Sequence, residues 1–140
     1  MAALTKDADG ESWSAEALEK ILVLPNSFGL MALTEAQPLG FLLAQVAADE
    51  AEIIHFVVAS PARRRGVGRS LLTEAMARAF EKGARAMFLE VASDNEAAQA
   101  LYKTAGFTQV GIRPDYYRVN RVNYTDALIF RCDLITAARI

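Results

Sequence analysis

Three consecutive arginines, Arg63, Arg64 and Arg65, run into Gly66-Val67-Gly68 and then Arg69. Glycines two residues apart clear side chains away, so that successive backbone N–H groups can close on an anion. Where such a loop opens a helix, the helix N-terminus adds positive potential. That is phosphate-binding chemistry, and Arg64, Arg65 and Arg69 can add charge-assisted contacts to it. The segment is not a Walker A loop, because no Gly-Lys-Ser/Thr follows. Nor is it a dinucleotide fingerprint, since the third glycine and the downstream acidic residue are absent. A surface turn with solvated arginines has the same composition. What tells against that reading is the position of the segment between an apolar run and an amphipathic one.

Glu90 is a second candidate. It stands inside an otherwise apolar run, Met87-Phe88-Leu89-Glu90-Val91. A carboxylate taken out of water holds a proton more tightly and makes a better base. The same glutamate near a strand end can instead reach solvent or pair with an arginine. Tyr102 follows on a short helical segment, where a tyrosine serves as core packing or as a proton donor. The single cysteine, Cys132, has no Cys-His partner nearby and reads as a core thiol. The single histidine, His55, reads as a half-buried strand residue. No His/Cys/Asp/Glu cluster has metal-ligand spacing, so no metal is expected.

The elements that must position these residues follow from the pattern. Ser14 caps a first helix, with Glu16 in its first turn, Trp13 and Leu18 as a hydrophobic staple, and Pro25 as its stop. Three strands are predicted at Phe28–Leu33, Leu39–Val46 and Glu52–Val58, forming an antiparallel meander. An amphipathic helix spans about Arg69 to Lys82, with Leu71, Leu72, Ala75, Met76, Ala79 and Phe80 on one side and Gly83 ending it. Ala86–Val91 is a buried strand. The strand–helix–strand order implies a right-handed crossover, so the strands at Val57 and Leu89 run parallel. A second helix is capped by Ser93 or Asp94, with Glu96 completing a capping box, and ends at Gly106. Strands Phe107–Gly111 and Ala127–Asp133 close the chain, joined by a long loop that starts at Arg113-Pro114-Asp115-Tyr116-Tyr117. The fold class is mixed α/β with one central sheet.

A chain of 140 residues has room for a single domain, 1–140. With 53% hydrophobic and 23% charged residues it reads as a soluble globule. A net charge of −2 argues against bulk binding to nucleic acid. No apolar run approaches the roughly 20 residues of a membrane span, and Met1–Gly10 lacks the apolar core of a secretory signal. One cysteine excludes an internal disulfide and suits a reducing compartment, so the expected location is the cytoplasm.

Val57-Val58, then Arg63-x-x-Gly66-x-Gly68, then the Leu71-Leu72 helix, resembles the acyl-CoA-binding motif of the GNAT superfamily of N-acetyltransferases. Asn95-x-x-Ala98-x-x-Leu101-Tyr102-x-x-x-Gly106-Phe107 matches its second half. The resemblance implies a GNAT-like mixed sheet flanked by helices, with acetyl-CoA as acyl donor. It implies that the amides around Gly66, Val67 and Gly68 grip the CoA pyrophosphate. The backbone of Phe56, Val57 and Val58 then holds the pantetheine arm and polarises the thioester. Glu90 becomes the general base (through water), Tyr102 the acid for the departing thiolate, and Asn95 a residue that meets the cofactor.

Trp13-Ser14, the Leu89-Glu90-Val91 strand, and Arg113-Pro114-Asp115-Tyr116-Tyr117 followed by Asp126-Ala127 resemble the bacterial RimI-type branch. That branch acetylates the N-terminal alanine of a small-subunit ribosomal protein. Tyr116 and Tyr117 then line a peptide channel; the alternative is a pair of aromatics anchoring a loop. An α-amine also suits a modest base. Its pKa of about 7.7–8.0, against about 10.4 for lysine, leaves roughly one in seven neutral at pH 7.

One departure is that only twelve residues precede Trp13, where the superfamily usually carries a strand and a longer helix. Either that strand and helix are lost or degenerate, which gives a shortened N-terminal region, or the start is late. A shortened region leaves a sheet edge open to homodimerisation, with a monomer as the alternative. Two other functions remain open: acetylation of a small-molecule amine or a lysine, and an acyl-CoA-binding module without turnover. RNA binding through Arg63–Arg65 is weak, because the only nearby aromatic is Phe56.

Overall fold

A computed structural model of the protein describes residues 26–34, 37–59, 66–118 and 124–134. The expected helix after Ser14 and the arginines Arg63, Arg64 and Arg65 lie outside these residues. Strands β1 (Ser27–Thr34), β2 (Gln37–Ala47) and β3 (Glu50–Val58) form the predicted meander, each slightly longer than its apolar run. Helix α1 (Val67–Glu81) crosses to β4 (Ala86–Ala92). Helix α2 (Glu96–Thr104) precedes β5 (Thr108–Arg118) and β6 (Tyr124–Asp133). The six strands form one sheet in the order β1-β2-β3-β4-β6-β5. The β3–β4 pair is parallel, as the crossover requires, and the other pairs are antiparallel.

Residues on one face of the sheet pack against α1. Leu42, Ala44 and Ile53 meet Leu71, Leu72, Ala75 and Met76 in the main core. Gly40 lets the helix come close: a Cβ there would stand 2.8 Å from Leu71 Cδ1 and 3.3 Å from the Val57 carbonyl. The helix begins at Val67, two residues before the expected start, and ends through Gly83 at φ 103°. Ala84 N–H bonds back to the Ala79 carbonyl at 3.0 Å, closing the final turn.

The β2–β3 register jumps from Leu43↔His55 to Ala44↔Ile53, which makes Ile54 a bulge. Beyond it the facing pattern inverts. Ala51 and Ile53 point into the core beneath α1, whereas His55 and Val57 pair across with Leu43 and Phe41 on the opposite face. His55 is only 4% exposed and packs its ring 6.1 Å from Phe41, so it is buried rather than half-buried. Period-2 reading along the sequence misses this because a bulge adds a residue without altering composition.

The region from Arg113 to Tyr117 is strand, not loop. β5 runs through it with a register break between Arg113 and Tyr117 and with Asp115 at φ 53°. Pro114 and Asp115 read as turn residues in sequence, but here they make a kink that pairing resumes beyond. The second helix also differs from expectation at its start. Asn95, not Ser93 or Asp94, is the N-cap, and its Oδ1 accepts from Ala98 N–H at 3.2 Å. Ser93 Oγ instead lies 2.9 Å from Thr125 Oγ1, on β6, so no Ser93–Glu96 capping box forms.

Candidate active site

The N-terminus of α1 is built for an anion. Gly66 precedes it with φ 82°, a conformation that suits glycine, and a Cβ there would meet nothing within 4 Å. No side chain caps the helix and its first turn carries no acidic residue. Gly68 seats that turn against the end of β3 and the side of α2: its added Cβ would lie 3.4 Å from Leu101 Cδ2 and 3.5 Å from Val58 Cγ2. Arg69 is exposed on the same turn. First-turn amides, helix dipole and an adjacent cation are the chemistry that can hold a phosphate, here at the C-terminal end of β3.

Below the cradle the sheet opens. β3 and β4 pair only from Glu50↔Ala86 to Glu52↔Phe88, yet β3 continues to Val58 and β4 to Ala92. The edge of β3 facing β4 therefore has no strand partner beyond Glu52 among the described residues. Phe56, Val57 and Val58 lie on this divergent stretch. A narrow ligand arm entering from the cradle finds extended backbone on one side and β4 on the other. The residues present fit a long ligand with a phosphate end.

Tyr102 and Glu90 lie on opposite faces of the sheet beside this wedge. Tyr102 of α2 is buried, with its ring 6.3 Å from Phe56, 5.9 Å from Phe107 and 6.2 Å from Phe130. Glu90 of β4 pairs in register with Ile129 and faces the side away from α1. Its side chain is 21% exposed, and its Oε2 lies 3.3 Å from Arg113 Nε. Oε2 is buried and accepts no hydrogen bond, so the contact is one of charge rather than alignment. The arginine pairing held open from sequence is thus present. The glutamate also lines a cavity of about 320 Å³, shared with Gln45, Glu52, Phe88, Arg113 and Ile129.

Tyr116 and Tyr117 sit on the kinked end of β5, their rings 5.2 Å apart and nearly perpendicular. Tyr116 is 49% exposed. Asp115 N–H donates to Asp126 Oδ1 at 3.0 Å, which pins the kink to β6. In the sequence, Arg113 and Asp126 belong to a motif that gives neither of them a role. Their meetings with Glu90 and Asp115 cross strands and leave no local signal.

Cys132 is buried, and burial first, then the charge of Asp133, pushes its thiol above the ordinary value of 9.0. That suits a core thiol and not a nucleophile. Among the described residues no cluster of His, Cys, Asp or Glu can hold a metal ion, and no helix is long and apolar enough to cross a membrane.

A glycine-started helix above a splayed parallel strand pair defines a class as well as a candidate site. The chain belongs to the acetyltransferase (GNAT) family, whose sequence model matches residues 1–107. Among its relatives is the N-alpha-acetyltransferase RimI of Mycobacterium tuberculosis, 35% identical over 115 residues, 79% of this chain and 70% of that protein. The [ribosomal protein bS18]-alanine N-acetyltransferase of Escherichia coli is 38% identical over 77 residues, 55% of this chain. That match spans about half the length of the Escherichia coli enzyme, 52%. The crystal structure of the ribosomal-protein-S18-alanine N-acetyltransferase from Escherichia coli superposes with a TM-score of 0.85 at 26% identity, covering 95% of this chain and 84% of that one.

Proposed function

We propose that the chain transfers the acetyl group of acetyl-CoA to the α-amine at a protein N-terminus, as a RimI-type enzyme acting on the N-terminal alanine of a small-subunit ribosomal protein. The observation that carries this reading is the wedge between β3 and β4, with the glycine-started α1 at its mouth and Glu90 on its far face. Family membership supports acetyl-CoA as donor. The relatives named for α-amine acetylation support the acceptor.

The residues then divide the work by position. Amides at Gly66, Val67 and Gly68, with Arg69 and the preceding Arg63, Arg64 and Arg65, hold the pyrophosphate. The backbone of Phe56, Val57 and Val58 lies along the pantetheine arm and polarises the thioester carbonyl, and Asn95 closes on the same ligand. From the opposite face the acceptor enters the cavity beside Glu90, with its backbone against Tyr116 and Tyr117. Glu90, through a water, takes the proton of the ammonium group. The neutral nitrogen forms its bond to the carbonyl carbon, the carbon–sulfur bond breaks, and Tyr102 gives its proton to the leaving thiolate. The surplus proton on the acylated nitrogen passes through water to the Tyr102 oxygen, which restores the phenol. Products are the acetylated amine and free CoA, with no covalent enzyme intermediate. The proposed protein is a single domain over 1–140, cytoplasmic, and monomeric or a homodimer.

The test is acetyl-CoA turnover followed by thiol release, on a peptide beginning with alanine and on the same peptide blocked at its α-amine. Turnover confined to the free terminus is expected. Equal turnover on the blocked peptide moves the target to a side-chain amine. CoA binding without turnover on any amine overturns the enzyme reading.

A further inference from the structure

We infer that Arg113 is a positioning residue for Glu90, and that it ties the orientation of that carboxylate to the segment carrying Tyr116 and Tyr117; this rests on reading Glu90 as the base. Arg113 and Glu90 stand on strands that do not touch, since β6 lies between β4 and β5. In register, Arg113 sits opposite Ala127, which sits opposite Ala92, two residues past Glu90 on the same face. The small Ala127 leaves the arginine stem a path over β6. Arg113 reaches back along it and brings Nε to 3.3 Å from Glu90 Oε2.

The same guanidinium also lies over the Tyr116 ring, 5.2 Å from its centroid. That stacking depends on the kink, because the register is broken between Arg113 and Tyr117 and the break is held by Asp126. A chain of contacts thus runs from Tyr117 through Tyr116 and Arg113 to Glu90. Since the Arg113 side chain is 53% exposed, the ion pair contributes little to holding the fold. Its consequence is directional: the guanidinium draws Oε2 toward β5 and leaves Oε1 to serve the cavity that both residues line. Because the contact lacks hydrogen-bond alignment, the carboxylate can turn when an acceptor settles on Tyr116.

The experiment compares wild type with Arg113→Gln, Arg113→Lys, Tyr116→Leu and the Arg113→Gln/Tyr116→Leu double variant, on the free-terminus peptide. Arg113→Gln is expected to lower kcat about tenfold, a part of the 10²–10⁴-fold a general base supplies. The KM for acetyl-CoA should stay within about twofold of wild type, since Arg113 touches nothing on the donor side. Arg113→Lys, which keeps the charge, should recover most of the loss, and the double variant should be no slower than Arg113→Gln alone. An unchanged kcat in Arg113→Gln, or losses that multiply in the double variant, would overturn the inference. A second readout stands apart from turnover: the ¹³C carboxyl resonance of Glu90, assigned by its disappearance in Glu90→Gln. It should move in Arg113→Gln and return in Arg113→Lys, and one resonance common to all three proteins sinks the idea. If wild type acetylates no peptide, the proposed acceptor fails, and this resonance still decides the role of Arg113.

Discussion

Glu90 and Tyr102 occupy contrasting surroundings, and their substitutions should read out differently. Glu90 is partly open to a cavity and faces one guanidinium. Glu90→Gln keeps its shape and removes the proposed base, so turnover should fall by about 10²–10⁴-fold with acetyl-CoA binding retained, as titration calorimetry would check. Tyr102 is packed among three aromatic rings. Tyr102→Phe keeps that packing and removes only the hydroxyl. Stability in a urea melt should change by no more than about 1 kcal/mol, while thiol release slows. A large stability loss with unchanged kcat would make Tyr102 a core residue alone. Both residues were legible as candidates from type and setting. The partner of Glu90 was not, because Arg113 is twenty-three positions away in the chain and two strands away in the sheet.

At the scale of elements, α1 matters most, since its first turn is the proposed cradle and Gly40 seats it on the sheet. Gly40 decides how closely it lies on β2. Gly40→Ala pushes a methyl into Leu71, Val67 and the Val57 carbonyl, and overpacking of this kind costs about 1–3 kcal/mol. The displaced helix start should also weaken acetyl-CoA binding. A Gly40→Ala protein with unaltered affinity would show that the cradle does not depend on that seat. α2 is held at its start by Asn95, so Asn95→Ala should cost about 1 kcal/mol of stability through loss of the cap. Helix and strand positions were readable here from apolar spacing and glycine stops. The cap lies one residue past Asp94 and two past Ser93, whose hydroxyl meets Thr125 on β6, a partner that no capping rule applied along the chain includes.

For the whole molecule, stability should depend on pH and on ligand. Burial raises the Cys132 thiol above its ordinary value of 9.0, so the folded protein keeps that proton after the unfolded chain begins to lose it. The resulting stabilisation is complete below about pH 9 and is lost as pH climbs through and beyond that value. Urea midpoints measured from pH 8 upward should therefore fall more steeply for wild type than for Cys132→Ala. Parallel curves would remove the thiol from the account. Acetyl-CoA at about a hundred times its Kd should add about 2.7 kcal/mol to unfolding by mass action.

Along the chain alone, the pattern of apolar residues, the Gly66-x-Gly68 loop and the isolated carboxylate at Glu90 determined a mixed α/β sheet, a candidate phosphate loop and a candidate base. These are local properties: a glycine pair, a period of two or of 3.6, a charge in an apolar run. Tertiary structure alone decided that β3 and β4 part company after Glu52 and Phe88, that Ile54 bulges and so buries His55, and that Arg113–Tyr117 is kinked strand. It also decided that Arg113 reaches Glu90. Each of these depends on which strands lie side by side and in what register. Register is set by packing between segments far apart in the chain, and no window of neighbouring residues contains it.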